Sequence, residues 1–216
     1  MFIALDGGDG VGKSTQVALL ADWLGQLGYS VVVCRDPGST RLGEAIRSLL
    51  LDRQDLQLVL KAEMLLYMAA RAQMVEELIR PALAAGQTVI SDRYLLANVV
   101  YQGYGGGLDV DSLWQIGQLA TGGLMPELTI VLDVPVEVAL SRLTGKPDRI
   151  EARSRQFHEQ VRQGFLQEAR LKPNQIVVIE ATGSIPEVHL KIQQLLRQRG
   201  LVGQPSTPIA GHERNK

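Results

Sequence analysis

The stretch Gly7-Gly8-Asp9-Gly10-Val11-Gly12-Lys13-Ser14 decides the fold, because it has the spacing G-x-x-x-x-G-K-[ST]. An apolar run typical of a strand, residues 2–5, precedes it, and helical spacing of apolar residues begins at Ser14. Glycines allow the backbone to curl so that successive N–H groups point at phosphate oxygens, at the positive end of the following helix. We therefore predict a phosphate-binding loop between a strand and a helix, rather than a simple glycine turn.

Two residues of this loop carry the chemistry of phosphate binding. Lys13 would neutralise charge on the terminal phosphates of a nucleoside triphosphate, and the Ser14 hydroxyl would bind Mg²⁺. Asp9 needs a separate explanation, because a carboxylate beside an anion-binding loop weakens phosphate binding unless it points away. Its side chain either accepts a hydrogen bond from a sugar hydroxyl of a second substrate or is a solvated acid on a loop.

Short apolar runs alternate with helical spacing along the whole chain. These strand candidates are residues 2–5, 30–34, 88–91, 128–132 and 175–179. Continuous hydrophobic runs are typical of strands that are covered on both faces. The pattern therefore predicts an α/β fold of the P-loop NTPase type, with a five-stranded parallel sheet flanked by helices on both faces. Between the strands, a first helix is predicted at residues 14–27, and a long helix at 58–85 is expected to bend at Pro81.

Length and composition narrow the classes of function. The 216 residues, 45% of them hydrophobic, fit one domain at residues 1–202 with a lid at about 141–153. The net charge of −1 and the lack of a basic tract provide no footprint for nucleic acid or an anionic membrane. No apolar run approaches the roughly 20 residues of a membrane span. The tail, residues 203–216, is polar and rich in Pro and Gly, and is predicted to be disordered.

The single cysteine, Cys34, lies in an apolar run and is interpreted as a buried core residue. One cysteine cannot form a disulfide framework within the chain, which suits a reducing compartment. We therefore expect the protein in the cytoplasm.

Further charges are predicted at the carboxyl edge of the sheet, where open α/β proteins bind their ligands. Asp92 and Arg93 directly follow the strand candidate 88–91. Asp92 would hold the metal or act near an acceptor phosphate, and Arg93 would bind phosphate oxygens through its planar guanidinium. The alternative is a structural Asp–Arg pair at a strand end.

A second group of cations occupies a predicted loop, which Gly145 and Pro147 keep from being helical. The cations are Arg142, Lys146, Arg149 and Arg153. Cations on a mobile segment can close over a phosphoryl group in transfer and exclude water. The alternative is a solvated charged loop, and the cluster alone does not decide between the two.

Two upstream segments complete the set of candidate residues. The segment Arg35-Asp-Pro-Gly-Ser-Thr40 makes a turn where the second strand ends, so Arg35 is presented at the same sheet edge. Tyr67 and Arg71 lie four apart on a predicted helix and share a face. In one interpretation, Tyr67 would stack on a base while Arg71 donates to a carbonyl oxygen of that base. In an equally good alternative, Tyr67 packs in the core and Arg71 is a surface residue.

Taken together, these pieces resemble the thymidylate kinase family over about residues 2–199. The resemblance rests on the P-loop, the Arg35–Thr40 segment, Ala62-Glu-Met-Leu-Leu-Tyr67-Met-Ala-Ala-Arg71, Asp92-Arg93-Tyr94, Asn98-Val-Val-Tyr101-Gln102-Gly103 and Asp148-Arg149-Ile150-Glu151. The P-loop is common to many families, whereas the Tyr-Gln-Gly and Asp-Arg-Ile-Glu segments are more specific.

The resemblance implies roles for individual residues. ATP would be bound by the loop residues 7–14, including Gly8, by Thr15 and by Arg142. Tyr67 would stack on thymine, Arg71 would bond its O4, and Asn98 or Gln102 would lie at its N3 edge. Tyr101 would crowd the sugar 2′ position, Asp9 would meet the 3′-hydroxyl, and Arg93 and Arg35 would lie near the acceptor phosphate.

The resemblance also implies where the catalytic cation lies. Some family members carry it in the P-loop and others in the lid, and Val11 cannot supply charge. The chain therefore resembles the lid type, with Arg142, Lys146 and Arg149 as candidates and Arg149 as the first of them. Two positions depart from the family pattern: Ser39, where Gly is common, and Ala97, where Ser is usual. Ala97 lacks a hydroxyl that could contact the base or the sugar, so this departure bears on substrate preference. A homodimer formed through helices, near residues 65–74, is also implied.

We accordingly expect Mg²⁺-dependent transfer from ATP to dTMP, with Lys13, Asp92, Arg93 and Arg149 as catalytic residues. A kinase for another nucleoside monophosphate, such as dUMP or CMP, is the nearest alternative. A GTPase-type switch would need a guanine-reading Asn-Lys-x-Asp segment, which the sequence lacks. A nucleotide-binding regulator without turnover is a third alternative.

Overall fold

The computed structural model describes residues 1–53, 55–144 and 147–203. The lid candidate Lys146 and the predicted disordered tail beyond Gly203 lie outside these residues.

A five-stranded parallel sheet forms the centre of the protein, with the strand order β2-β3-β1-β4-β5. Its strands are β1 (Phe2–Asp6), β2 (Val31–Arg35), β3 (Thr88–Asp92), β4 (Leu128–Asp133) and β5 (Ile176–Glu180). The predicted strands and the α/β class are confirmed. Each strand ends one residue later than predicted, and the last residue is charged in every case, because backbone pairing does not require an apolar side chain at the sheet edge. Strands β2 and β5 also begin one residue later than predicted.

Helices connect the strands and cover both faces of the sheet. In chain order they are α1 (Lys13–Gln26), α2 (Arg41–Leu51), α3 (Leu60–Met74), the π-helical turn π1 (Val75–Ile79), α4 (Arg80–Ala84), α5 (Leu95–Asn98), the π-helical turn π2 (Val99–Gly105), α6 (Val110–Thr121), α7 (Val136–Ser141), α8 (Arg155–Leu171) and α9 (Ile185–Gln198). Within the described parts of the chain, no helix is long and apolar enough to cross a membrane.

The long predicted helix is present as α3, π1 and α4 in direct succession. The N–H of Arg80 donates to the carbonyl of Val75, five residues back, which is the pattern of a π-helical turn. This wide turn ends two residues before Pro81, which has no N–H to donate. The irregularity expected at Pro81 therefore takes the form of a register shift in the preceding turn.

The core has one apolar layer on each face of the sheet. Leu20 and Leu24 of α1 pack with Ile192 of α9 against β1 and β4. On the opposite face, Met64 of α3 and Leu113 of α6 belong to the cluster that includes the other side of β1. Because β1 is buried on both faces, it fixes the position of the loop that follows it.

Strand register brings the predicted functional residues to one edge. Asp92 of β3 is the register partner of both Arg35 of β2 and Leu5 of β1. The N–H of Arg93 then donates to the carbonyl of Leu5 at 2.9 Å, which continues the ladder past the end of β3. The carboxyl ends of these three strands therefore form a single platform.

Candidate active site

The P-loop runs from the end of β1 into α1 and needs glycine where other backbone approaches it. Gly10 has φ 75°, and a Cβ there would collide with the backbone carbonyl of Ala139 in α7. Gly7 has φ 131°, and a Cβ there would meet the carbonyl of Leu132. The glycines thus allow the loop to lie against β4 and α7 while its N–H groups remain available to phosphate.

Lys13 folds back over this loop and donates from Nζ to the carbonyl of Gly8 at 2.6 Å. Burial, followed by repulsion from the guanidinium of Arg93, lowers the pKa of the Lys13 ammonium to about 8. A bound polyphosphate would restore the charged form, because it places negative charge beside the ammonium.

Ser14 and Asp92, predicted from distant parts of the sequence to bind the metal, are in contact. Ser14 Oγ donates to Asp92 Oδ2 at 2.7 Å. A hydroxyl and a carboxylate beside a phosphate loop are oxygen ligands of the kind that Mg²⁺ takes, with phosphates and waters as its other ligands. The residues present therefore fit a magnesium ion.

Arg93 joins the P-loop to the other side of the site. It lies at φ 69°, donates from Nη1 to the carbonyl of Gly7 at 2.8 Å, and donates from Nη2 to Asp9 Oδ1 at 2.5 Å. The hydroxyl of Tyr101 accepts from Arg93 Nη2 at 3.1 Å and donates to Asp9 Oδ2 at 2.8 Å. Burial alone would raise the pKa of Asp9, but Arg93 and Lys13 hold it below its ordinary value. Asp9 is therefore an ion-paired residue of the cleft wall and not a solvated acid.

A second polar group lies further along the cleft. Arg71 donates from Nε to Asp36 Oδ2 at 2.5 Å and from Nη1 to Asn98 Oδ1 at 3.1 Å. Asn98 Nδ2 donates in turn to Gln102 Oε1 at 2.6 Å. Arg71 and Asp36 are each 1% exposed, so Arg71 is not the surface arginine of the alternative interpretation. Burial raises the pKa of Asp36 above its ordinary value, although Arg71 opposes this.

Both groups line one cleft of about 950 Å³. Most of the predicted site residues contribute to its wall: Asp9, Gly10, Val11, Gly12, Lys13, Ser14, Thr15, Arg35, Tyr67, Arg71, Asp92, Arg93, Asn98, Tyr101, Gln102 and Arg142. Gly7 and Gly8 lie in the loop but line a smaller pocket behind it. A volume of this size accommodates ligands larger than one mononucleotide.

The lid cations divide into two sets. Arg142 lines the cleft and donates to the carbonyl of Ala181 at 3.4 Å. Arg149 does not line the cleft: its Nε donates to the carbonyl of Leu50 at 2.8 Å, and its Nη2 lies 2.8 Å from Glu63 Oε2. Arg153 also pairs with Glu63, at 3.1 Å. The catalytic role of Arg149 stays a prediction, and it requires this side chain to move.

The Asp-Arg-Ile-Glu segment is a turn that its own acids hold together. Asp148 Oδ1 accepts from the N–H groups of Ile150 and Glu151 at 2.7 and 2.9 Å. Glu151 Oε2 accepts in return from the N–H of Asp148 at 3.0 Å. The two acids therefore shape the backbone that presents Arg149, a role that spacing alone did not indicate.

The two departures from the family pattern occupy different settings. Ser39 lies at φ 64°, a conformation that favours glycine, and its Oγ accepts from the N–H of Arg35 at 2.8 Å. Arg35 itself pairs with Glu44 at 3.1 Å. Ala97 lines the cleft. The hydrogen bond to Ser39 thus offsets part of the backbone strain that a non-glycine residue brings.

Sequence reasoning missed two buried acids of this region, Asp36 and Glu63. Both lie inside segments that carry the family resemblance: Asp36 follows Arg35, and Glu63 precedes Tyr67 by one helical turn. Their position within specific motifs was the available signal, but their partners lie far away in sequence.

Comparisons with known proteins agree on one family. The thymidylate kinase family model matches residues 5–192. The thymidylate kinase of Rhodopirellula baltica is 50% identical over 186 residues, which cover 86% of this chain and 76% of that protein. The thymidylate kinase of Synechococcus sp. (strain JA-2-3B'a(2-13)) is 47% identical over 199 residues, covering 92% and 95%.

A solved structure agrees with these sequence matches. The crystal structure of thymidylate kinase from Ehrlichia chaffeensis superposes with a TM-score of 0.75 at 32% identity, covering 91% of this chain and 98% of that one. The chain therefore belongs to the thymidylate kinase family.

Proposed function

We propose that the protein transfers the γ-phosphoryl group of ATP to dTMP, giving ADP and dTDP. The observation that carries the proposal is the bridge that Arg93 makes between the P-loop and Tyr101 within one cleft. A donor held by the loop and an acceptor held beyond Arg93 would meet with their phosphates at this arginine. The family of the relatives supports the same acceptor.

The polar group beyond Arg93 favours a base with the edge of thymine or uracil. Arg71 has only donors, so it suits the O4 acceptor and opposes the amino group of cytosine. Asn98 and Gln102 lie beside it and can serve the N3–H. Tyr67 lines the same cleft and would stack on the ring. Uracil differs from thymine only by a methyl group, so dUMP is the acceptor against which selectivity must be measured.

Catalysis in this proposal consists of positioning and charge neutralisation. The attacking oxygen of a monophosphate is already anionic, so no general base is needed. Lys13, Arg93 and a lid arginine would offset the repulsion between the two nucleotides and stabilise the charge of the transition state. Mg²⁺, held through Ser14 and Asp92, would neutralise phosphate charge when bound. Water would be excluded by closure of the lid over the cleft.

We further propose a homodimer in the cytoplasm. Leu65 of α3 is 53% exposed and Leu119 of α6 is 84% exposed, on two helices that pack against each other. Part of the predicted dimer stretch is internal, because Met68, Ala70, Arg71 and Met74 are buried. The exposed pair therefore supports a contact through the α3–α6 surface, which light scattering of the purified protein tests. The buried, free Cys34 supports the reducing compartment.

The experiment is a coupled assay of ADP release with MgATP and a panel of monophosphates: dTMP, dUMP, dCMP, CMP and dGMP. We expect dTMP to give the highest kcat/KM and dCMP to be rejected by a factor of at least about 100, the discrimination of a buried hydrogen-bonding site. A protein that phosphorylates dCMP or dGMP as well as dTMP would contradict the proposed acceptor.

A further inference from the structure

Glu63 of α3 is a buried carboxylate with partners on both sides of the site. Its side chain is 1% exposed. Oε1 accepts from Gln102 Nε2 at 2.9 Å, and Oε2 lies 2.8 Å from Arg149 Nη2 and 3.1 Å from Arg153 Nη2. The same carboxylate thus contacts a residue of the proposed base site and two residues of the lid.

On the base side, Glu63 ends a chain of hydrogen bonds that begins at Arg71. The chain passes through Asn98 and Gln102, with donor–acceptor distances of 3.1, 2.6 and 2.9 Å. Arg71 can only donate and a carboxylate can only accept, while each amide between them has one donor end and one acceptor end. Only one orientation of the two amides satisfies every bond. The charges of Arg71 and Glu63, at the two ends of this chain, therefore fix the orientation in which the Asn98 and Gln102 amides face a pyrimidine.

On the lid side, Glu63 pairs with two cations, Arg149 and Arg153, although one of them would be enough to neutralise its charge. A buried carboxylate that loses its last cation is strongly destabilised, but here one arginine can leave while the other stays. Arg153 can serve as the anchor, because its guanidinium also lies 4.7 Å from the ring centroid of Phe157, whereas Arg149 would have to give up its hydrogen bond to the Leu50 carbonyl as well when it moves. Arg149 can therefore exchange Glu63 for phosphate without leaving an unpaired buried charge.

We propose that Glu63 is a positioning residue that couples recognition of the acceptor base to the position of the lid arginines. It fixes the direction of the Asn98–Gln102 amide chain, and it holds Arg153 as the fixed point from which Arg149 moves. This inference rests on the proposed function, since it takes Asn98 and Gln102 as the residues that read the base.

Two substitutions of Glu63 separate its charge from its volume. Glu63→Gln keeps the volume but removes the obligatory acceptor, whereas Glu63→Asp keeps the acceptor in a shorter side chain. We expect Glu63→Gln to raise KM for dTMP about tenfold and to lower the preference for dTMP over dCMP about tenfold, as for one lost hydrogen bond to a charged group. KM for ATP stays within about twofold, since the P-loop is not touched. We expect Glu63→Asp to have a KM for dTMP and a selectivity between those of Glu63→Gln and the wild type.

Arg153→Met tests the anchor independently. Arg149 then becomes the last cation of a buried carboxylate, so its release is penalised and kcat falls about tenfold, while KM for dTMP stays within about twofold. Glu76→Gln is the control: Glu76 is exposed, lies in π1 of the same helical segment and, within the described residues, pairs with Arg80 one turn away. This control keeps wild-type parameters.

The outcomes distinguish this inference from the proposed function. If the wild-type protein makes no dTDP, the proposed function is contradicted. An active wild type combined with normal KM and selectivity in Glu63→Gln overturns only the role of Glu63. The role of Glu63 is also overturned if Glu63→Asp raises KM for dTMP more than Glu63→Gln does. That order would mean that the volume of the side chain matters and its charge does not. If Glu63→Gln fails to fold by circular dichroism, Arg153→Met decides: wild-type kcat in that variant overturns the anchor.

Discussion

Arg93 and Asp9 form an ion pair of 2.5 Å that joins the end of β3 to the middle of the P-loop. Arg93 adopts φ 69° to make this contact, a backbone conformation that non-glycine residues rarely occupy. Its bonds to Gly7 and Tyr101 hold the strained residue in place. The arginine assigned to the acceptor phosphate and the loop assigned to the donor are therefore one preorganised unit.

We expect Arg93→Lys to lower kcat by about 100-fold to 1,000-fold, the usual effect of losing one preorganised charge donor. Lysine carries the charge but cannot bond the Gly7 carbonyl and Asp9 at the same time, because it lacks the planar fork. Steady-state assays measure the loss of kcat. The matched control is Arg53→Lys, because Arg53 forms an exposed ion pair with Asp55. Wild-type kcat in Arg93→Lys would contradict the role.

Lys13 should bind a proton when ATP binds at alkaline pH. Its pKa is lowered to about 8 by burial and by Arg93, so above pH 8 the ammonium is largely deprotonated in the empty site. Phosphate charge raises this pKa, so binding at pH 8.5 takes up part of a proton and KM for ATP rises above pH 8. Calorimetry in buffers of different ionisation enthalpy measures the uptake. A binding enthalpy that is independent of the buffer at pH 8.5 would rule out this account of Lys13.

Asp6→Asn should stabilise the protein above pH 7. Burial raises the pKa of Asp6 from 3.8 to about 7, and within the described residues neither carboxylate oxygen has a hydrogen-bond partner. Between these two pKa values the folded state binds the proton more tightly than the unfolded state, so stability falls as pH rises from about 4 to 7. The asparagine avoids that loss, with a gain on the order of 2 kcal/mol at pH 8, because part of the gain is offset by the lost attraction to Arg93.

Urea denaturation of both proteins from pH 4 to pH 8 measures this difference. The two stabilities should converge towards pH 4 and separate above pH 6. A constant difference at every pH would mean that the ionisation of Asp6 does not contribute.

Arg71→Met should destabilise the fold as well as weaken dTMP binding. The Arg71–Asp36 pair is buried on both sides, so removal of the arginine leaves a buried carboxylate without its cation, at a cost of about 3–5 kcal/mol. Adding Asp36→Asn should restore at least half of that loss. A double-mutant cycle by urea denaturation measures the coupling between the two residues. Additive effects of the two substitutions would contradict a direct pair.

Local patterns predicted most of the fold. Continuous apolar runs located the five strands to within one residue at either end, because parallel strands that are buried on both faces leave an unambiguous signal. The P-loop spacing located the turn between β1 and α1. The turn at π1 was not predicted, because the feature that accompanies it, the missing N–H of Pro81, lies two residues beyond the last residue of the turn.

Long-range electrostatics limited the prediction of the site. Residue types located Lys13, Ser14, Asp92 and Arg93 at the sheet edge, since each follows a strand or belongs to the loop. The pairing of Arg149 with Glu63 joins residues 86 positions apart, and no local pattern reports which buried acid neutralises which arginine. Spacing on a helix could not separate the two interpretations of Arg71 either. Its burial against Asp36 decided between them.

The central claim is that both nucleotides occupy one cleft together and that the phosphoryl group passes directly between them across Arg93. Initial velocities with MgATP varied at several fixed dTMP concentrations test it most directly. We expect double-reciprocal lines that intersect, as a ternary complex requires. Parallel lines would show that the phosphoryl group first leaves ATP for the protein, and would contradict the account.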